Sequence, residues 1–91
     1  MKKSTKKDYK VTIKIFQNGQ LEKTIKTDDV LESFNEIKLD PKTLKGGVRI
    51  EAEYGDKKYF HNMYVRRMRL FLTSPITRQI MAKHFNIALG I

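Results

Sequence analysis

The sequence predicts a small α+β domain: two antiparallel hairpins packed against helices in the order β-β-α-β-β-α-α. Three observations lead there. Apolar and polar residues alternate with period two on either side of two short turn segments. The apolar spacing switches to the helical period after Thr27 and again after Asn62. Helix-start signals stand at Asp28-Asp29 and at Thr73-Ser74-Pro75. Residues 9–91 are expected to form one domain, since 91 residues leave no room for a second core.

In the first hairpin, Tyr9, Val11, Ile13 and Ile15 alternate with Lys10, Thr12 and Lys14. The chain then meets Gln17-Asn18-Gly19 and resumes as Gln20 to Lys26. A two-residue Asn18-Gly19 turn would set Ile15 opposite Glu22 and Val11 opposite Lys26. A three-residue loop with Gly19 as a left-handed bulge sets Ile15 against Leu21, Val11 against Ile25 and Lys14 against Glu22. The second register keeps apolar groups together and is the one expected.

Asp28 or Asp29 caps a helix whose Val30, Leu31, Phe34 and Ile37 recur at helical spacing through about Lys38. Pro41 forbids its continuation, so residues 39–47 read as a loop ending in Gly46-Gly47. Val48, Ile50, Ala52 and Tyr54 mark a second alternating strand, and Gly55-Asp56 suits a two-residue turn with glycine first. That turn pairs Ala52 with Tyr59, Ile50 with His61, Val48 with Met63 and Glu53 with Lys58. Tyr64, Val65, Met68, Phe71 and Leu72 then form a helical stripe, which predicts a helix over 63–72, with an extended strand as the alternative. Ser74 and Pro75 open a last helix, in which Ile76, Ile80, Met81, His84, Phe85, Ile87 and Ala88 recur up to Gly90.

Charge is unevenly placed. The net charge is +9, and residues 57–91 carry seven bases (Lys57, Lys58, Arg66, Arg67, Arg69, Arg78, Lys83) with no carboxylate. Residues 1–8, with Lys2, Lys3, Lys6 and Lys7, read as a flexible basic arm. An AT-rich genome accounts for many lysines. It does not account for 35 residues without an acid, nor for four of the five arginines lying there. Arginine forks match phosphate oxygens, which lysine does not.

Other classes fit less well. The only histidines are His61 and His84, and cysteine is absent, so no catalytic constellation, metal site or cofactor is expected, nor a small-molecule substrate. No apolar run reaches the roughly 20 residues of a membrane span, and the basic N-terminus has no apolar stretch behind it, so secretion is not expected. The expected location is the cytoplasm or a viral particle. The last two helices, joined by a tight turn, resemble a helix-turn-helix with Thr77 and Arg78 opening the second, although ordinary helix packing is the expected account of that turn. Tyr59, Phe60 and Tyr64 interleave with Lys57, Lys58 and Arg66; the expected arrangement buries Tyr59 and Tyr64 and exposes Phe60 alone.

The sequence therefore points to sequence-tolerant binding of nucleic acid, DNA or RNA, through Arg66, Arg67, Arg69, Arg78, Lys83, Lys57, Lys58 and the arm lysines. The alternative is an assembly subunit of a viral particle, ribonucleoprotein or homo-oligomer that uses hairpin edges and the apolar Ile87 to Ile91. An acidic protein partner is a third possibility.

Overall fold

The alternating segments form strands β1 (Val11–Gln17), β2 (Gln20–Thr27), β3 (Val48–Tyr54) and β4 (Lys57–Met63). The helices are α1 (Val30–Asn35), α2 (Val65–Thr73) and α3 (Pro75–Leu89). The structure, a computed structural model, describes residues 9–44 and 46–91. The basic arm expected over residues 1–8 lies outside the described residues. The element order is the expected one, and the two hairpins merge into a single antiparallel sheet of order β2-β1-β3-β4.

That merger comes from β1, which pairs with β3 from Val11↔Tyr54 to Gln17↔Val48 as well as with β2. Ile13 and Ile15 thus lie beside Ala52 and Ile50, and all four are buried. The second hairpin has the expected register, with Ala52↔Tyr59, Ile50↔His61, Val48↔Met63 and Glu53↔Lys58. Gly55 takes φ 61°, as the first position of its turn requires.

The first hairpin corrects the expected register. Its turn is the two-residue Asn18-Gly19, with both residues at positive φ (54° and 77°), so Gln17 pairs with Gln20 and Phe16 with Leu21. Continued unbroken, that register would put Lys26 against the buried Val11. A bulge at Glu22 advances β2 by one residue instead, so Ile15 meets Lys23, Ile13 meets Ile25 and Val11 meets Thr27. The expected Ile15–Leu21, Val11–Ile25 and Lys14–Glu22 pairs do not form. Asparagine tolerates the left-handed region, which makes the tight turn accessible, and the bulge restores the phase of the buried face.

Helix α1 is shorter than expected. Asp29 caps it through its side chain, which accepts from Glu32 N–H at 3.2 Å. It ends at Asn35 because Glu36 N–H and Ile37 N–H bond three residues back, to Ser33 and Phe34, tightening the last turn. Ile37 is buried from outside the helix. The expected loop contains a 3₁₀ turn over Pro41–Thr43, where the Asp40 side chain accepts from Lys42 N–H at 2.9 Å, and Leu44 beyond it is buried.

Met63 belongs to β4 and is buried, and α2 starts two residues later than expected. In α3, Ser74 accepts from Thr77 N–H at 3.3 Å and Pro75 occupies the first turn. Gly90 closes the helix at φ 74°, with Ile91 N–H on Asn86 C=O at 2.9 Å. This is the Schellman closure that glycine makes without strain.

The helices cover one face of the sheet. Phe34 lies edge-on to Phe71 and Phe85, with ring centroids 5.1 and 5.2 Å away, and Tyr59 of β4 lies edge-on to Phe85 at 4.9 Å. Three helices and the sheet therefore meet at one aromatic cluster. Among the described residues no helix is long and apolar enough to cross a membrane. Replacing Phe71, which is fully buried, by Ala should lower unfolding stability by about 3–5 kcal/mol. Tyr64→Ala, at an exposed position, should stay within about 0.5 kcal/mol in the same urea titration.

Candidate nucleic-acid interface

Alternation sends one set of side chains from each strand away from the helices. The registers order them in rows across the sheet: Leu21, Phe16, Arg49 and Asn62, then Thr24, Lys14, Glu51 and Phe60, then Lys26, Thr12, Glu53 and Lys58. No element among the described residues covers this face. The Arg49 guanidinium carbon lies 5.1 Å from the Phe16 ring centroid and 5.4 Å from that of Phe60. One arginine thus joins two aromatic rings into a single ledge. Phe60 is 51% exposed, as expected.

Carboxylates on this face are matched by bases. Arg49 pairs with Glu51 at 2.9 Å, while Glu53 lies 3.4 Å from Lys58 and 3.9 Å from Lys14. Lys58 is therefore partly neutralised. Lys57 sits at the opposite end of β4 from α2, with its ammonium against Gly90 at the C-terminus of α3, where the helix dipole favours a cation. Six strand steps, roughly 20 Å, separate Lys57 from the Met63 end of β4.

Tyr64 corrects the sequence expectation. It takes the extended N-cap position between β4 and α2 and is 80% exposed, whereas Tyr59 is half-buried against Phe85. A residue at a strand-to-helix junction follows neither period, so its side chain escapes both buried faces. No side chain caps α2 at this end, and no acid lies in its first turn. Its free N–H groups therefore add positive potential beside Tyr64.

Arg66, Arg67 and Arg69 are exposed on α2, and among the described residues they form no ion pair. A shallow concavity of about 430 Å³ is lined by His61, Asn62, Met63, Tyr64, Arg66, Arg67 and Leu70. A second, of about 400 Å³, is lined by Phe16, Asn18, Gly19, Gly47, Val48, Arg49, Asn62, Met63 and Tyr64. Asn62, Met63 and Tyr64 border both. The open-face ledge, Arg66 and Arg67 are thereby parts of one surface that wraps around the end of β4, whereas Arg69, exposed on the other flank of α2, lines neither concavity.

Not all the expected residues join it. Arg78 donates from Nε to Asn35 Oδ1 at 2.7 Å and from Nη1 to the carbonyls of Phe71 and Leu72 at 2.9 and 3.1 Å. Its guanidinium closes the C-terminal end of α2 and ties α1 to α3, a fold role that its place in a helical first turn did not reveal. Thr77 and Arg78 consequently do not project as a recognition helix would. Lys83 is exposed within a row of isoleucines on α3. Lys2, Lys3, Lys6 and Lys7 lie outside the described residues. The surface instead gains Phe16, Arg49, Asn62 and Tyr64; the outward alternation of Arg49 and the place of Tyr64 among bases were signals in the sequence, although Tyr64 was expected to be buried.

Burial pushes the His61 imidazole pKa below its ordinary value, and the nearby Arg67 guanidinium and His84 imidazole push the same way. Among the described residues, no three His, Asp or Glu side chains gather as a metal site would require. No protein-family model, curated protein or solved structure matches the chain.

Arg78→Met should lower stability by about 2–3 kcal/mol, since it strips a charged donor from three acceptors. Arg66→Met should change it by less than about 0.5 kcal/mol; chemical denaturation separates the two. The folded state binds a proton at His61 less readily than the unfolded chain does. Stability should therefore fall as pH drops below about 6.5, the unfolded value. His61→Gln should make that decline shallower when unfolding midpoints are compared between about pH 7.5 and 5.5.

Proposed function

We propose that the protein binds single-stranded nucleic acid with little sequence preference, laying the strand around the end of β4. Phe16, Phe60 and Tyr64 offer ring faces to bases, Arg49 holds the first two rings together while paired with Glu51, and Arg66 and Arg67, without an ion pair among the described residues, meet the phosphates. The observation that carries this reading is the alternation of arginines with the exposed Phe60 and Tyr64 and the half-buried Phe16, along a surface whose Glu51 and Glu53 are already paired. Stacking is tolerant of sequence because every base has a π-face, and guanidinium groups track the backbone. Ring faces are of little use against a duplex, whose bases are already stacked. The absence of any acid after residue 56 lowers the repulsion such a strand would meet.

Fluorescence anisotropy with a labelled single-stranded oligonucleotide tests the reading. Affinity should fall steeply with salt, and replacing Arg66 and Arg67 together by Gln should flatten the log–log slope by about 1.4, at about 0.7 per phosphate. Tyr64→Ala should cost about 1–3 kcal/mol of binding with the fold intact. Salt-independent binding, or equal affinity for a duplex of the same sequence, would sink it.

A further inference from the structure

Helix α3 is apolar on two opposite sides. Met81, Ala82, Phe85 and Leu89 are buried against the sheet and the other helices. Ile76, Ile80 and Ile87 are 67%, 53% and 68% exposed, and Lys83 is exposed between them. At about 100° per residue, Ile76, Ile80, Lys83 and Ile87 fall within an arc of about 60°, roughly half a turn from the buried set. Their spacing of four, three and four residues is that of the a and d positions of a coiled-coil seam. Ile91, 57% exposed, stands four residues further on.

We propose that this outward row of α3 docks an acidic amphipathic helix of another protein, by knobs-into-holes packing with a carboxylate facing Lys83. The width of the row selects a helix: an a/d seam is narrow, whereas a helix lying in a lipid surface presents a broader apolar face. The charge selects an acidic one. Lys83 stands inside the row, His84 flanks it, and no carboxylate occurs from residue 57 to residue 91. A second copy packed row against row would bring the same lysine and no acid from α3 to answer it, with like net charges opposing the approach. A lone lysine at a seam position fixes register and partner, because only a partner carboxylate compensates its desolvation.

Two synthetic three-heptad helices serve as probes, both with Leu at the seam positions. One carries Glu at the flanks and at the position facing Lys83; the other carries Lys at the same places. In calorimetric titrations of the full chain, the acidic helix should bind and the basic one should not. Ile80→Gln should weaken acidic-helix binding about tenfold or more, and Lys83→Glu should shift preference toward the basic helix. Circular dichroism reports whether each variant is folded, and Ile80→Gln should leave oligonucleotide affinity unchanged, which separates this seam from the nucleic-acid surface. Failure of the acidic helix to bind, or equal binding of both helices, overturns the proposal. So does dimerisation of the protein alone in sedimentation, or flotation with phosphatidylserine vesicles, if either is lost in Ile80→Gln.

Discussion

The pairing of β1 with β3 is the constraint on which the rest of the structure depends. Each hairpin alone is a two-stranded ribbon of marginal stability. Joined along β1 and β3, they present Val11, Ile13, Ile15, Val48, Ile50 and Ala52 as one continuous buried face. The three helices close over that face, and Phe34, Phe71, Phe85 and Tyr59 form the contact through which they hold one another in place. The opposite face of the same sheet is left open.

That open face gives the proposed interface its rigidity. Phe16, Arg49 and Phe60 come from three different strands, and the register of the sheet alone brings them together. A stacking surface built on paired strands loses less conformational freedom on binding than one carried by loops. The bulge at Glu22 contributes from a distance. By correcting the phase of β2, it allows Leu21 to lie beside Phe16 on the open face while Ile25 still reaches the inner side.

Similar side chains take unlike roles because of where they fall. Arg66 and Arg78 are both arginines of a carboxylate-free tail. One is exposed at an uncapped helix start, and the other donates to the closing carbonyls of α2 and to Asn35. Isoleucines of α3 sit outside while Met81 and Ala82 sit inside, so apolar character alone does not mark the core. Both cases place a proposed interaction surface beside residues that the fold itself consumes.

Local chemistry is what the sequence by itself determined: the strands from their alternation, the Gly55-Asp56 hairpin, a cap at Asp28 or Asp29, the Ser74 cap, the Gly90 stop, and the exposure of Phe60 and of the α2 arginines. Each depends on residues within one turn or one hairpin. Tertiary structure alone decided the joining of the hairpins through β1 and β3, the placing of Arg49 between two rings, the exposure of Tyr64, the inward turn of Arg78 and the choice of which apolar stripe of α3 is buried. Periodicity shows that a face exists. Only packing between elements distant in the chain determines what that face meets.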